Sequence, residues 1–187
     1  MSECTVIGIG GAGLQLAWQA QRLVGGVFLA INTDQEPLAS LPPGQQLVIG
    51  PQCCGGKGAS SPARGRLAAE ESLSDIRARL PDSGKVVLMA GLGGGAGTGA
   101  LSIVANEAIQ RGLEPLIAVT LPFRLESERR EEALSALKEL EATGATIITH
   151  DHAQQHLDSI DLESVLQTSA TELARRSHAW IKGETDA

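Results

Sequence analysis

Two runs of this chain carry residues spaced to hold phosphate. Gly8-Ile9-Gly10-Gly11-Ala12-Gly13 satisfies the pattern G-x-G-x-x-G. Where that pattern follows a strand and opens a helix, backbone N–H groups and the positive end of the helix dipole face an incoming anion. The second run, Gly91-Leu92-Gly93-Gly94-Gly95-Ala96-Gly97-Thr98-Gly99, places six glycines in nine positions. Glycine is costly to order, so this density predicts a backbone that takes left-handed angles and comes close to a ligand. Thr98 offers a hydroxyl to a phosphate or to the cap of the following helix.

Neither run is a P-loop, which requires Gly-Lys followed by Ser or Thr; here Gly56-Lys57 is followed by Gly58. A dinucleotide site is the competing expectation. Asp34 lies about 20 residues beyond the first glycines, where a ribose-binding carboxylate belongs. That expectation leaves the second glycine run without a task.

The elements that must position these runs follow from apolar periodicity. Strands are expected at Cys4 to Gly10, Val27 to Asn32, Gln46 to Ile49, Lys85 to Ala90, Pro115 to Thr120 and Ala145 to Thr149. Helices are expected at Gly13 to Val24, Pro62 to Leu80, Ala100 to Gln110 and Glu128 to Glu141, with two more at Ala153 to Leu157 and Leu162 to Trp180. Strands this apolar, alternating with helices, predict an α/β fold with a parallel sheet covered on both faces. Ligands of such sheets bind beyond the carboxyl ends of the strands, where both glycine runs fall.

Composition narrows the function. At 187 residues and 42% apolar, the chain fits one domain, and with only 2% aromatic residues its core must be built from Ala, Val, Ile and Leu. A net charge of −7 argues against a nucleic-acid surface, which needs clustered Lys and Arg. An anionic ligand must then be held by backbone N–H groups rather than by bulk charge. No apolar run has the length of a membrane span, and the first residues lack a basic segment and cleavage site. Cys4, Cys53 and Cys54 do not form a disulfide framework, so a cytosolic protein is expected.

The runs Val6 to Gly13, Ala30-Ile-Asn-Thr-Asp34, Gly91 to Gly99 and Pro122-Phe-Arg-Leu-Glu-Ser-Glu-Arg-Arg130 occur in an order that resembles the amino-terminal GTPase half of FtsZ, the tubulin relative. The resemblance covers residues 4 to 149. It implies a three-layer, Rossmann-like nucleotide-binding domain with a mostly parallel six-stranded sheet. It also implies GTP or GDP as the ligand, with or without Mg2+. Gly10, Gly11 and Ala12 would then touch the phosphates, and Gly94, Gly95, Ala96, Gly97 and Thr98 would wrap their far end. Gly58 and Ala59 fall in the loop that senses the γ-phosphate, Glu126 matches a glutamate at the ribose, and Arg130 matches an arginine near the phosphates.

The departures are specific. Ala96 stands where the family usually has threonine, and Cys53 to Ala59 differs from the usual R-G-x-G-A-G-A. Lys57 is either a substitute γ-phosphate contact or a solvated loop lysine. For the base-reading asparagine after the sixth strand, the nearest residues are His150 and Asp151. The chain stops at Ala187, and the family's catalytic aspartates lie in a loop beyond that point. The resemblance therefore implies a module that binds nucleotide better than it cleaves it, partnered by itself or by an FtsZ-like protein. A stand-alone GTPase and a nicotinamide-dependent oxidoreductase are the alternatives.

His150, Asp151, His152 and His156 are the one metal-like cluster in the sequence; a polar helix start capped by Asp151 is the competing reading. Cys53 and Cys54 have no basic or histidine neighbour in sequence to activate them. Arg175, Arg176 and His178 are expected on a solvated helix face, with Trp180 docked on the core.

Overall fold

Six parallel strands form one sheet in the computed structural model, which describes residues 4–154 and 162–184. The strands are β1 (Cys4–Ile9), β2 (Val27–Asn32), β3 (Gln46–Val48), β4 (Lys85–Gly91), β5 (Glu114–Leu121) and β6 (Thr146–Asp151), in the order β3-β2-β1-β4-β5-β6. The helices are α1 (Gly10–Val24), α2 (Pro62–Glu71), α3 (Leu73–Arg79), α4 (Gly95–Gln110), α5 (Ser127–Glu141) and α6 (Leu162–Lys182). The expected α/β class is the observed one. The expected fifth helix, Ala153 to Leu157, lies largely outside the described residues, and a short 3-10 turn occupies His152–Gln154.

Alternation along each strand sends neighbouring side chains to opposite layers. Ile7, Ile9, Leu88 and Ile117 pack with Ala68, Ile76, Leu101 and Leu140 under α2 to α5. Val6, Phe28, Met89 and Ala118 pack with Leu16, Ala17, Leu173 and Ala174 under α1 and α6. The last helix is tied to the sheet by Lys85 at the start of β4: its ammonium donates to the carbonyls of Trp180 (2.9 Å) and Ile181 (2.6 Å) and lies over the Trp180 ring. Cations at helix carboxyl ends satisfy carbonyls that have no partner within the helix. Trp180 docks on the core as expected, but Arg176 and His178 are half-buried, and Arg176 donates to the Thr149 carbonyl at 3.0 Å.

The single helix expected over Pro62 to Leu80 is broken at Ser72. Ser72 leaves the helical region (φ −101, ψ 20), and its buried hydroxyl accepts a hydrogen bond from the Gly50 N–H at 2.9 Å. A serine engaged by the backbone N–H of a distant segment marks the end of a helix that apolar periodicity alone would continue. At the other end, Ser61 caps α2 by accepting from the Arg64 N–H, with Pro62 in the first turn.

The larger correction concerns the second glycine run. Its second half is helix: α4 begins at Gly95, five residues before the expected start at Ala100. Several of its glycines serve packing. A Cβ on Gly95 would stand 1.9 Å from the Ala59 carbonyl, and one on Gly99 would stand 2.0 Å from the Pro62 carbonyl. From the α2 side, a Cβ on Gly65 would lie 2.2 Å from the Gly95 carbonyl. The two helices thus touch backbone to backbone, which only small residues allow. Gly65→Val is expected to force them apart and to lower stability by about 1–3 kcal/mol, the usual cost of overpacking. A urea unfolding curve measures it; an unchanged midpoint would refute this account of the glycine density.

Candidate functional site

Strand order reverses direction between β1 and β4, because the chain winds outward through β2 and β3 on one side and through β5 and β6 on the other. A crevice opens at such a switch point, outside the carboxyl ends of the strands. Here it is filled by two helix starts. Gly10, at φ +75, has no Cβ, and one placed there would lie 2.7 Å from the Gly97 nitrogen. The amino-terminal ends of α1 and α4 therefore stand side by side.

Both ends are uncapped. Neither Ile9 before α1 nor Gly94 before α4 gives a side-chain cap, and neither helix has an acidic residue in its first turn. The first N–H groups of a helix have no intrahelical partner, and the dipole places about half a positive charge at that end. Two such ends aimed at one crevice form an anion site made of backbone.

The cavity they border has a volume of 560 Å³, within the range of small-molecule sites. Of the expected residues, Gly10, Gly11, Ala12, Gly58, Ala59, Gly94, Gly95, Ala96, Gly97 and Glu126 line it together. Asp34 lines it too. Its Oδ1 accepts from the Glu36 N–H at 3.1 Å. The Gly58 side is fixed to β2, because the Ala59 N–H donates to Thr33 Oγ1 at 2.9 Å and the Gln35 N–H to the Gly56 carbonyl at 3.1 Å. Lys57 is exposed and is not among the lining residues.

Two expected residues stand elsewhere. Thr98 is buried inside the first turn of α4, and its Oγ1 accepts from the Gly93 N–H at 2.7 Å. It thereby holds the turn rather than capping the helix or facing the cavity. Arg130 points away into an ion pair: Nη1 and Nη2 each lie 2.7 Å from one oxygen of Asp151, and Nη1 also donates to the Pro122 carbonyl at 2.7 Å. Such a two-toothed pair holds the Asp151 carboxyl below its ordinary range, chiefly through the Arg130 hydrogen bonds, and raises Arg130.

The cation that lines the cavity is Arg129, which sequence matching passed over. Its Nε donates to the Gly93 carbonyl at 3.0 Å, and its Nη1 pairs with Glu126. Glu126 also accepts the Phe123 N–H at 3.1 Å. Beyond it the wall is Phe123 stacked on His152, ring centres 4.7 Å apart, with Leu166 from α6. Neither His150 nor Asp151 lines the cavity; His150 pairs with Glu172 at 2.7 Å, while Asp151 accepts the Ala153 N–H at 2.9 Å and so caps the short turn after β6. His156 lies outside the described residues, and among the described residues no three His, Cys, Asp or Glu side chains stand close enough to hold a metal ion. The Sγ atoms of Cys53 and Cys54 are 3.7 Å apart; burial first, then Glu71 and Cys54, push the Cys53 thiol upward, away from the reactive thiolate.

With this geometry in place, comparison with known proteins decides the family. The model of the Tubulin/FtsZ family, GTPase domain, matches residues 3–155. The chain belongs to the tubulin/FtsZ family. It is 36% identical over 159 residues to the cell division protein FtsZ of Aquifex aeolicus, covering 82% of this chain and 43% of that protein. FtsZ 1 of Halobacterium salinarum is 33% identical over 191 residues, covering 99% of this chain and 47% of its own length. The chain thus spans less than half the length of these two curated relatives. Among solved structures, an empty FtsZ dimer of M. jannaschii superposes with a TM-score of 0.84 at 28% identity, covering all of this chain and 56% of that one. CetZ of Methanosaeta thermophila shares the fold, with a TM-score of 0.78 at 20% identity over 97% of this chain and 54% of that one. The relatives include both bacteria and archaea. Among the described residues no helix is long and apolar enough to cross a membrane.

His152 supplies a pH dependence. Desolvation, and then the neighbouring His150, push its pKa below the ordinary value near 6.5, while Nε2 bonds the Ser169 hydroxyl at 2.8 Å. The folded state therefore favours the neutral ring. Stability from this group is present above pH 6.5 and is lost as pH falls from there through the lowered folded value. Thermal melts from pH 7.5 down to pH 5 should show this decline, and His152→Gln should flatten it; an equal slope in the variant would remove His152 as the cause.

Proposed function

We propose that this FtsZ-family domain binds a guanine nucleotide, GTP or GDP, with its phosphates between the amino-terminal ends of α1 and α4. The observation that carries the reading is the meeting of two uncapped helix starts, neither with an acid in its first turn, at the sheet's switch point. Gly10, Gly11 and Ala12 would serve from α1, and Gly94 to Gly97 from α4. Gly58 and Ala59 would face the terminal phosphate, and Glu126 would accept ribose hydroxyls. Among the described residues, Asp34 and Glu126 are the two carboxylates that line the cavity, and a Mg2+ ion accompanying the phosphates would draw on Asp34.

Hydrolysis needs a group that orients water against the terminal phosphate. Glu126 is committed to the ribose hydroxyls in this reading, and it accepts the Phe123 N–H. The domain therefore acts as a nucleotide-dependent assembly module, joining a second copy or an FtsZ-like partner, rather than as a GTPase on its own. The oxidoreductase alternative keeps one supporting residue, Asp34, and gives α4 no role.

Gly11 provides the test, because a Cβ there meets nothing within 4 Å and the residue lies in the first turn of α1. Gly11→Asp should leave the melting temperature equal or raised, since an acid suits a helix start by about 0.3–1 kcal/mol. The same carboxylate should repel phosphate and weaken uptake of fluorescent GTP at least 10-fold, by like-charge repulsion at close range. Uptake of NAD but not GTP by the unsubstituted protein, or steady phosphate release by the protein alone, would overturn the proposal.

A further inference from the structure

Arg129 and Arg130 are adjacent, yet the fold gives them opposite fates. The family resemblance, which matches Arg130 four residues past Glu126, implies that Arg130 is the phosphate arginine. In the structure, Arg130 joins α5 to β6 through Asp151, with side chains only 22% and 18% exposed. Turning Arg130 toward a nucleotide would strand the Asp151 carboxylate in a half-buried site, which is far more costly than separating a surface pair. Arg129 has no such tie. Its side chain is 57% exposed, its ion pair with Glu126 is a surface pair of small worth, and among the described residues its Nη2 has no hydrogen-bond partner.

Position and charge favour Arg129 as well. Its Nε is anchored to the carbonyl of Gly93, the residue before the N-cap of α4, so the guanidinium stands at the edge of the backbone anion site. Gly93 takes φ +91, and a Cβ there would lie 2.6 Å from the Arg129 carbonyl and 2.7 Å from Pro122 Cγ. The turn before α4 and the start of α5 are thus locked to each other. Among the described residues, Arg129 is also the one Lys or Arg that lines the cavity.

We propose that Arg129, not Arg130, is the cation that engages the bound nucleotide, by exchanging its pair with Glu126 for a pair with phosphate. The exchange frees Glu126 to accept ribose hydroxyls, so one movement prepares both contacts. A planar guanidinium suits this task because it can keep Nε on the Gly93 carbonyl while the Nη donors turn to oxyanions. Arg129 is thus a direct phosphate contact of the binding site, and this role rests on the nucleotide reading above.

The test compares Arg129→Gln, Arg129→Lys and Arg130→Lys in titrations with GTP and with GDP at several salt concentrations. Glutamine can still donate to the Gly93 carbonyl, so Arg129→Gln removes the charge while leaving the turn anchored. Arg129→Gln should weaken GTP at least 10-fold, keep the melting temperature of the free protein, and flatten the dependence of affinity on salt. Arg129→Lys should recover part of the affinity. Arg130→Lys should melt at a lower temperature yet bind within about threefold of the unsubstituted protein. The proposal falls if Arg129→Gln binds within twofold, if its salt dependence is unchanged, or if Arg130→Lys loses as much affinity as Arg129→Gln. If the unsubstituted protein takes up neither nucleotide, the nucleotide reading itself fails, a result distinct from uptake that ignores Arg129.

Discussion

Two positive helix ends held against each other are the constraint on which the site depends. Each carries about half an elementary charge, and neither helix has a side-chain cap or an acid in its first turn. Their mutual repulsion is a cost that the folded protein bears through close packing elsewhere, notably the contact of Gly65 with Gly95 and of Gly99 with Pro62. A polyanion set between the two ends converts that repulsion into attraction. The same backbone arrangement explains how a chain of net charge −7 can present a surface suited to phosphate. Attraction at a site is governed by the nearest oriented dipoles and charges, while distant surface acids are screened by salt.

Around this centre the loops are fastened by the protein's own hydrogen bonds. The segment between β3 and α2 is held by the Glu71 carboxylate, which accepts the Gln52 and Cys53 N–H groups at 2.7 and 3.0 Å, and by Arg64, whose Nε donates to the Cys53 carbonyl at 3.0 Å. Thr33 then fixes Ala59, and Thr98 fixes the Gly93 turn. Ordering done during folding need not be repeated on binding, which is the physical sense of a preorganised site. The aromatic end is fixed differently, by Phe123 on His152 and by the His152 bond to Ser169 of α6. That end therefore depends on α6 staying docked.

Much of this was legible in residue order alone. Buried parallel strands announce themselves as unbroken apolar runs, and a glycine at the end of such a run marks where the backbone must turn, so all six strands and the placing of both glycine runs at strand carboxyl ends followed directly. What escaped was decided by contacts across the fold. Ser72 breaks a periodic helix because its hydroxyl meets Gly50, and the glycines at 95 and 99 admit a neighbouring helix that the local pattern does not reveal. Arg129 and Arg130 differ by about 100° around their helix, so the presence of Asp151 on a separate strand settles which one is sequestered. The Phe123, His152 and Leu166 wall assembles from three distant segments, and no spacing rule joins them.

The fastening of α6 by Lys85 bears on how the molecule is made. One face of β4 and β5 is covered by α1 and α6, so Met89, Leu116 and Ala118 lose part of their cover if the last helix is missing. During synthesis the sheet can assemble as soon as β6 has emerged, but the part of that apolar face under α6 stays uncovered until the ribosome has released some thirty residues more. A nascent chain in this condition offers a sticky surface to its neighbours. The growing polypeptide thus passes through a vulnerable interval, which closes when the ammonium of Lys85 finds the carboxyl end of α6.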